Sequence, residues 1–405
     1  MSELCRHFGE CGGCQWQDVP YPGQLTRKSE ALRALFADDW AAPIPVEASP
    51  QVWHYRNKVD FGFGRKRYPE PPPPGFERES VLGFKAKGRW YWPLDIHECR
   101  IGPEGLAALL AAVRAWMHGQ GLHAFDSRSK QGFLKVLLVR EGQRTGQRMV
   151  VLITGDGDFD KASFVEVVQN AFPAASIYRG IFRGSADVAS AHELELLDGA
   201  PAIEERLEIP AESRTRDLRF RLSPLSFFQT NTLAAEKLYA AIRAWVAEVG
   251  PQVLYDLYGG AGGIALTCAD LVQHVWSVEN VVAASQDGRA NARMNGIANV
   301  AFVPLKVEKY LRVLRDEGPF EPGVAVVVDP PRSGMPPKAV RRLVELAPRR
   351  ILYVSCKPAQ FITELPAFRE AYDIADIKAF DLFPHTEHIE TLISLTRTTR
   401  PRQTP

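Results

Sequence analysis

Short apolar runs alternate with amphipathic segments along the C-terminal half of the chain. From about residue 230, each run rich in Val, Ile and Leu is followed by a segment whose apolar positions recur every three or four residues, as in a helix packed on a sheet. The runs predict strands at 253–258, 274–279, 300–304, 324–329 and 350–355. Two last strands, near 376–383 and 389–396, have no helix between them, so one should be antiparallel. The pattern predicts an α/β class fold with a doubly wound, Rossmann-like sheet.

The N-terminal half has a different pattern. An amphipathic helix is predicted at 22–37, and residues 59–63 and 81–84 alternate apolar and polar positions as half-buried strands do. Further predicted elements are helices at 103–119 and 160–172 and strands at 132–139 and 148–154. These elements predict an α+β domain over residues 1–215, followed by the doubly wound domain over residues 216–405.

Composition narrows the class of protein. The 405 residues are 45% hydrophobic and 24% charged, which is typical of a globular chain, and no run is long enough to span a membrane. The N-terminus lacks the apolar core of a signal peptide. We therefore expect a cytoplasmic monomer without membrane contact. A net charge of +1 gives no global field for a polyanion, so any nucleic acid must bind to local patches.

Four cysteines form a candidate metal site. Cys5, Cys11 and Cys14 have C-x5-C-x2-C spacing, and Cys99 follows in the same predicted domain. In a reducing compartment such clustering indicates metal binding rather than disulfides. Four thiolates suit either tetrahedral zinc or an iron–sulfur cluster, and the spacing alone slightly favours zinc because zinc sites are common.

A glycine-rich turn follows the first strand of the doubly wound sheet. Residues 259–263 contain four glycines, which allow a ligand to approach the backbone at the start of a helix. Glu279 ends the second strand about twenty residues later, where an acidic side chain can bind ribose hydroxyls. NAD and S-adenosylmethionine both fit this pattern. A phosphate-binding P-loop does not, because no Gly-Lys-Ser/Thr follows.

Two further strand ends carry reactive groups. The fourth strand ends in Asp329-Pro330-Pro331-Arg332, with neither an aromatic residue for an amino-group methylation site nor a cysteine nucleophile after the prolines. The fifth strand ends at Cys356, and the neighbouring Lys357 could depress its pKa and favour the thiolate. Taken alone, Cys356 would be interpreted as a buried structural cysteine. Beside the Asp-Pro-Pro turn it becomes the candidate nucleophile.

These motifs occur together in one order, and the chain resembles the RNA uracil-C5 methyltransferases. The resemblance covers nearly the whole chain and is carried by the N-terminal cysteines, Phe227-Phe228-Gln229-Thr230-Asn231, Asp256–Gly262, Asp329–Arg332, Tyr353–Cys356 and Phe383–Glu390. It implies a [4Fe-4S] cluster on Cys5, Cys11, Cys14 and Cys99, in place of the zinc that spacing favours. It implies S-adenosylmethionine contacts from Gln229, Tyr258, Glu279 and Asp329, with Cys356 as nucleophile and Glu390 as general base.

The implied function is methylation of C5 of a flipped uridine in RNA. The substrate is ribosomal RNA or transfer RNA, and we expect ribosomal RNA. Many family members carry an RNA-binding β-barrel before the cluster, and we expect this chain to be a variant without it. A catalytically inactive iron–sulfur protein that binds RNA is the alternative. An NAD-dependent oxidoreductase would leave the Asp-Pro-Pro-Arg turn and Cys356 unexplained.

Candidate RNA contacts lie in the N-terminal half, where basic and aromatic residues are interleaved as they are in surfaces that bind phosphates and stack on bases. They are Arg65-Lys66-Arg67, Lys85, Lys87, Arg89 and Trp90-Tyr91-Trp92. A solvated charged face would give the same pattern.

Overall fold

The computed structural model describes residues 4–398 apart from 71, 74, 128, 186–188 and 212–214, and it describes Trp90 by its backbone alone. The helices are α1 (Tyr21–Leu35), α2 (Leu106–Gly119), α3 (Lys161–Ala171), α4 (Thr232–Val249), α5 (Gly263–Cys268), α6 (Val282–Met294), α7 (Val307–Glu317), α8 (Pro337–Leu346) and α9 (Pro358–Phe368). The strands are β1 (Val46–Glu47), β2 (Lys58–Arg65), β3 (Ser80–Ala86), β4 (Arg89–Asp95), β5 (Leu134–Glu141), β6 (Arg148–Thr154), β7 (Ser176–Ile181), β8 (Glu193–Gly199), β9 (Ile203–Ile209), β10 (Arg216–Leu222), β11 (Val253–Leu257), β12 (His274–Val278), β13 (Val300–Val303), β14 (Val324–Val328), β15 (Arg350–Ser355), β16 (Tyr372–Phe380) and β17 (Glu390–Arg397).

The chain divides into two compact units that are not two halves of the sequence. The first unit comprises Met1–Pro20, Gln51–Glu205 and Leu222–Leu225, and the second comprises Tyr21–Pro50, Arg206–Arg221 and Ser226–Pro405. The single boundary predicted at 215/216 therefore describes this division only in part. Residues 21–50 belong to the second unit because Leu32, Phe36 and Ile44 are buried in its hydrophobic core.

The second unit is built on an eight-stranded sheet. Its order is β1-β16-β17-β15-β14-β11-β12-β13. The strands are parallel except for β17, which is antiparallel to both β15 and β16 and so confirms the prediction of one antiparallel strand among the last two. Every residue of β14 is buried, as expected of a parallel strand covered on both faces, which explains its continuous apolar run. The order reverses at β11, so a ligand crevice is expected above its carboxyl end.

The first unit contains a seven-stranded sheet in the order β4-β3-β2-β5-β6-β7-β8. Neighbouring strands are antiparallel except for β6 and β7, which α3 connects in parallel. Side chains of α2 and α3 pack into the core of this sheet, among them Leu109, Val113, Phe164 and Val168. The unit is α+β, as the sequence predicts. A separate two-stranded ladder joins β9 and β10.

Hydropathy bears on membrane contact. Within the described part of the chain, no helix combines the length and the apolar character that crossing a bilayer requires.

Candidate active site

The glycine turn after β11 has the tight backbone that its sequence predicts. Tyr258 has a φ of 66°, a value that residues other than glycine rarely adopt. Gly262, the N-terminal cap of α5, has a φ of 88°. A Cβ at Gly259 would lie 2.1 Å from the Ser277 Oγ and 2.6 Å from the Asp256 Oδ2. Only glycine therefore fits at position 259, and the loop is packed directly on the ends of β11 and β12.

Glu279 is tied to this turn by its carboxylate. Its Oε2 accepts a hydrogen bond from the Gly260 backbone N at 3.2 Å, and its Oε1 accepts one from the Val281 N at 2.7 Å. The structure thus brings Glu279 beside the glycine turn, where the sequence predicts a ribose-binding carboxylate.

Three of the predicted cofactor residues line one cleft. Gln229, Tyr258 and Asp329 surround it together with Tyr239 and the glycine turn. The Gln229 Nε2 donates to the Asp329 Oδ2 at 3.4 Å, and the Asp329 backbone N donates to the Leu257 O at 3.1 Å. The Tyr258 hydroxyl is buried and finds no hydrogen-bond partner among the described residues. The cleft lies at the carboxyl end of β11, where the sheet order reverses.

Buried acids surround the cleft. Burial and the nearby Asp329 raise the pKa of Asp256 to about 7, although the Asp256 Oδ2 accepts hydrogen bonds from the Ser277 Oγ and the Ala265 N at 3.2 Å each. Burial also raises the pKa of Asp329, against the hydrogen bond from Gln229. Sequence reasoning did not assign Asp256 a role in the site. Its position one strand away from Asp329 could not be read from the chain.

The predicted nucleophile and base lie at adjacent strand ends. β15 and β17 pair in antiparallel register with Ser355 opposite Thr391, so the next positions, Cys356 and Glu390, face each other. Glu390 is only 2% exposed, which excludes a surface glutamate. Its Oε1 is buried without a hydrogen-bond partner in the described part of the chain. A buried, unsatisfied carboxylate oxygen is costly and indicates a functional position.

The pKa of Cys356 differs from the value that the sequence predicts. The pKa of the Cys356 thiol is raised to about 11 by burial and by the charges of Glu390 and Asp329. The pKa is raised rather than depressed, and Lys357 is not among the groups with the largest effects on it; the cation that opposes the rise is Arg332, which also makes a side-chain hydrogen bond to Cys356. Burial and the charge of Asp329 raise the pKa of Glu390 well above its usual value, and Arg332 opposes this rise. Arg332 is the site residue that sequence reasoning missed, although its place after Pro331 was the available signal.

The four N-terminal cysteines lie in the first unit around one cavity of about 310 Å³, which Cys5, Cys11, Cys14 and Cys99 all line. Burial raises the pKa of the Cys14 thiol to about 12 and that of Cys99 to about 11. Within the described ranges, no three His, Cys, Asp or Glu side chains form a group that could hold a metal ion. The four thiols therefore do not have the close grouping that Zn–S distances of about 2.3 Å require.

Comparison with known proteins agrees with this fold. A sequence profile of the tRNA (uracil-5-)-methyltransferase family matches residues 189–398. An RNA methyltransferase of Caldanaerobacter subterraneus subsp. tengcongensis, described as uncharacterized, is 32% identical over 95% of this chain and 83% of its own length. A similarly described relative from Protochlamydia amoebophila is 32% identical over 98% of this chain and 91% of its own length.

Among solved structures, that of the Pyrococcus abyssi tRNA (uracil-54, C5)-methyltransferase in complex with S-adenosyl-L-homocysteine has a TM-score of 0.73 and 26% identity. The match covers 97% of this chain and 88% of that one. Fold and site define the class of the protein as a methyltransferase. The chain belongs to the tRNA (uracil-5-)-methyltransferase family and is an RNA (uracil-C5)-methyltransferase.

Proposed function

We propose that this enzyme transfers a methyl group from S-adenosylmethionine to C5 of a uridine in RNA through a covalent bond between the Cys356 Sγ and C6 of the base. The observation that carries the proposal is the facing pair of Cys356 and Glu390 at adjacent strand ends, with Arg332 bound to the thiol. This arrangement places a nucleophile, a cation and a carboxylate together at the ends of neighbouring strands. It suits addition of the thiolate to the base, followed by abstraction of a proton by the carboxylate.

The residues act in a fixed order. The Cys356 thiolate adds to C6, and the electron pair of the C5=C6 bond moves toward the carbonyl at C4, which makes C5 nucleophilic. S-adenosylmethionine, when bound, supplies an electrophilic methyl group on a sulfonium. Glu390 then takes the proton from C5, the C–H electron pair restores the C5=C6 bond, and the C6–S bond breaks with its pair on sulfur.

The cofactor residues proposed are Gln229, Tyr258, Glu279 and Asp329. Gln229, Tyr258 and Asp329 share one cleft, and its role is supported by the glycine turn, where a Cβ at position 259 would clash with Ser277 and Asp256, and by the unpartnered Tyr258 hydroxyl. Glu279 has the position of a ribose ligand. The structure that resembles this chain was solved with S-adenosyl-L-homocysteine, which supports the choice of S-adenosylmethionine over NAD.

The RNA surface proposed lies around the turn between β3 and β4. Lys87 and Arg89 are exposed, Tyr91 is 47% exposed, and Arg89 stacks over the Trp92 ring at 5.4 Å. Arg65 and Lys66 suit this role less well, because they donate to the Arg78 O and to Glu79. The Trp90 side chain lies outside the described residues. The target uridine must leave its stack to reach a thiol at the end of a strand.

The preference for ribosomal over transfer RNA stays a prediction, and the family name and the Pyrococcus enzyme point to transfer RNA. Mapping 5-methyluridine in both RNA pools from cells with and without the gene decides between them. Loss of the modification from transfer RNA alone would contradict the prediction.

We also propose that Cys5, Cys11, Cys14 and Cys99 hold a [4Fe-4S] cluster with a structural role. The four thiols line one cavity, and four cysteine thiolates are the ligand set of such a cluster. A cationic group would also favour the thiolate forms of these partly buried cysteines.

The cluster is tested by anaerobic purification. We expect iron, sulfide and visible charge-transfer absorbance in the parent protein and in Cys356→Ala, and loss of all three in Cys11→Ser. A colourless parent protein that contains zinc would contradict the proposal.

The mechanism is tested with RNA that contains 5-fluorouridine, whose C5 fluorine cannot be removed as a proton. The parent protein should form an adduct that survives denaturation, and Cys356→Ala should form none. Cys268→Ala, which removes a buried thiol of α5, is the matched control and should react normally. RNA binding without methyl transfer by the parent protein would favour the inactive iron–sulfur alternative.

A further inference from the structure

The segment that leads into Glu390 is held by side chains of α1, although α1 begins at residue 21. We propose that Gln24 and Lys28 are positioning residues for the general base, acting through residues 381–389, here named the pre-strand segment. The inference rests on the proposed function and deepens it, because it assigns part of the proton-transfer geometry to a helix far away in sequence.

Lys28 fixes the start of the pre-strand segment. Its Nζ donates to the Asp381 Oδ1 at 2.7 Å and to the Phe383 O at 3.1 Å. Both side chains of the Lys28–Asp381 ion pair have no exposed surface. The Asp381 Oδ1 also accepts from the Phe383 backbone N at 3.0 Å. A buried, hydrogen-bonded ion pair has one preferred geometry, so it fixes the backbone at Phe383 relative to α1.

Gln24 fixes the middle of the segment. Its Oε1 accepts from the His385 backbone N at 2.8 Å, and its Nε2 lies 3.2 Å from the His385 Nδ1. His385 has a φ of 67°, a conformation that persists in a non-glycine residue only where its surroundings enforce it. From there the Thr386 Oγ1 donates to the Phe383 O at 2.8 Å and accepts from the His388 N at 3.2 Å. Hydrogen bonds thus connect α1 to the residues just before the base.

Glu390 depends on this support because it stands at the very start of β17. Strand pairing holds its backbone opposite Phe380. No hydrogen-bonding group among the described residues holds its buried Oε1. The path of the pre-strand segment therefore contributes to the direction of the carboxylate. Proton abstraction from C5 is the step that uses this direction, whereas the addition of Cys356 and the methyl transfer precede it.

The test separates early from late steps of the reaction. Gln24→Leu removes both contacts with His385. The pair Lys28→Met/Asp381→Asn detaches α1 without leaving a buried, unpaired charge and keeps an acceptor for the Phe383 N. With 5-fluorouridine RNA, both variants should form the adduct within about twofold of the parent rate. With uridine RNA, release of methylated product should slow roughly tenfold or more, since a misplacement of about 1 Å can cost about 100-fold. The methylated Cys356–RNA adduct should accumulate.

Two variants sharpen the result. Ser29→Ala removes a bond from the same helix to the Ile44 O at 2.8 Å and should behave as the parent does. Gln24→Glu keeps an acceptor for the His385 N and should recover most of the product release. The inference is overturned if Gln24→Leu slows adduct formation and product release equally, or changes neither. Failure of the parent protein itself to form any adduct would instead reject the proposed function, and this inference with it.

Discussion

The charge state of Cys356 depends on three neighbouring side chains. Glu390 and Asp329 disfavour the thiolate, and Arg332 favours it. Burial, together with the charges of the two acids, raises the pKa of the thiol to about 11 in the cofactor-free protein. The nucleophile is therefore mostly protonated near neutral pH, and it becomes reactive as its proton is removed.

Adduct formation should accordingly depend on pH. Its rate with 5-fluorouridine RNA should rise from pH 7 to pH 10, because the thiolate fraction grows until the pH reaches the pKa of about 11. Arg332→Gln should lower the rate at pH 8 by at least about tenfold, since loss of a nearby cation shifts a pKa by about one unit or more. Single-turnover rates across this range measure both effects.

The matched control for Arg332 is Lys357, which is adjacent to Cys356 in sequence but is not among the groups with the largest effects on its pKa. Lys357→Gln should therefore keep the parent pH profile. A flat profile in the parent protein, or equal losses in the two variants, would contradict the assignment of Arg332.

At the scale of elements, α9 ties the loop after Arg332 to the central sheet through Glu364. The Glu364 Oε1 accepts from the Met335 N at 3.0 Å, and its Oε2 accepts from the Tyr353 hydroxyl at 2.8 Å. A Cβ at Gly334 would lie 1.8 Å from the Glu364 Oε1, so the loop passes close to this carboxylate. One side chain thus joins α9, β15 and the turn that presents Arg332.

Truncation of this side chain should destabilise the second unit. Glu364→Ala leaves the Met335 N and the Tyr353 hydroxyl without their acceptor, and each unsatisfied group costs about 1–3 kcal/mol. We expect the free energy of unfolding to fall by roughly 2–5 kcal/mol in urea titrations. Thr363→Ala, on the same helix with hydrogen bonds only to Gln360, should stay within about 0.5 kcal/mol. Equal losses in the two variants would contradict the role of Glu364.

The sequence predicts β14 and β15 well because nearly all of their residues are buried. β14 and β15 are nearly continuous apolar runs because helices cover both faces of a parallel sheet. β8 escapes prediction because none of its residues is buried, so it has no apolar face to recognise. β1 escapes because a two-residue strand carries no periodicity.

Prediction of the site residues from the sequence is limited in a similar way. Asp329 and Cys356 were recognisable because each ends an apolar run, where parallel strands deliver functional groups. The pairing of Arg332 with Cys356 could not be predicted, because it depends on how two loops meet above neighbouring strands. The raised pKa of Cys356 has the same origin, since the acids that cause it come from two other strands.

At the scale of the molecule, the site contains several acidic side chains whose pKa values are raised by burial. The pKa values of Asp256, Asp329, Glu364 and Glu390 are all raised. Each folded carboxyl therefore binds its proton more tightly than the unfolded chain does. These carboxyls therefore favour the folded state most at low pH. Their contribution to the free energy of unfolding is lost as the pH rises from about 4, the pKa in the unfolded chain, through the raised pKa values of the folded protein.

Asp256 offers a direct test, because its pKa is raised to about 7. The free energy of unfolding of the cofactor-free parent should decline between pH 5 and pH 8, and Asp256→Asn should make this decline shallower because the amide cannot ionise. Denaturant titrations at four pH values measure the slope. Asp316→Asn, which removes an exposed partner of Arg315, should keep the parent slope. An unchanged slope in Asp256→Asn would refute the assignment.

The early position of α1 and β1 has a consequence for biosynthesis. β1 pairs with β16 through Val46 and Ala379, which are more than three hundred positions apart. The ribosome therefore delivers this edge strand of the catalytic sheet well before β16, and the strand cannot pair until more than three hundred further residues have emerged. A fragment that begins at residue 216 would lack β1 and expose the edge of β16. The unpaired backbone groups of this edge could then form hydrogen bonds with another molecule. The folding of the catalytic unit is thus tied to the synthesis of β16.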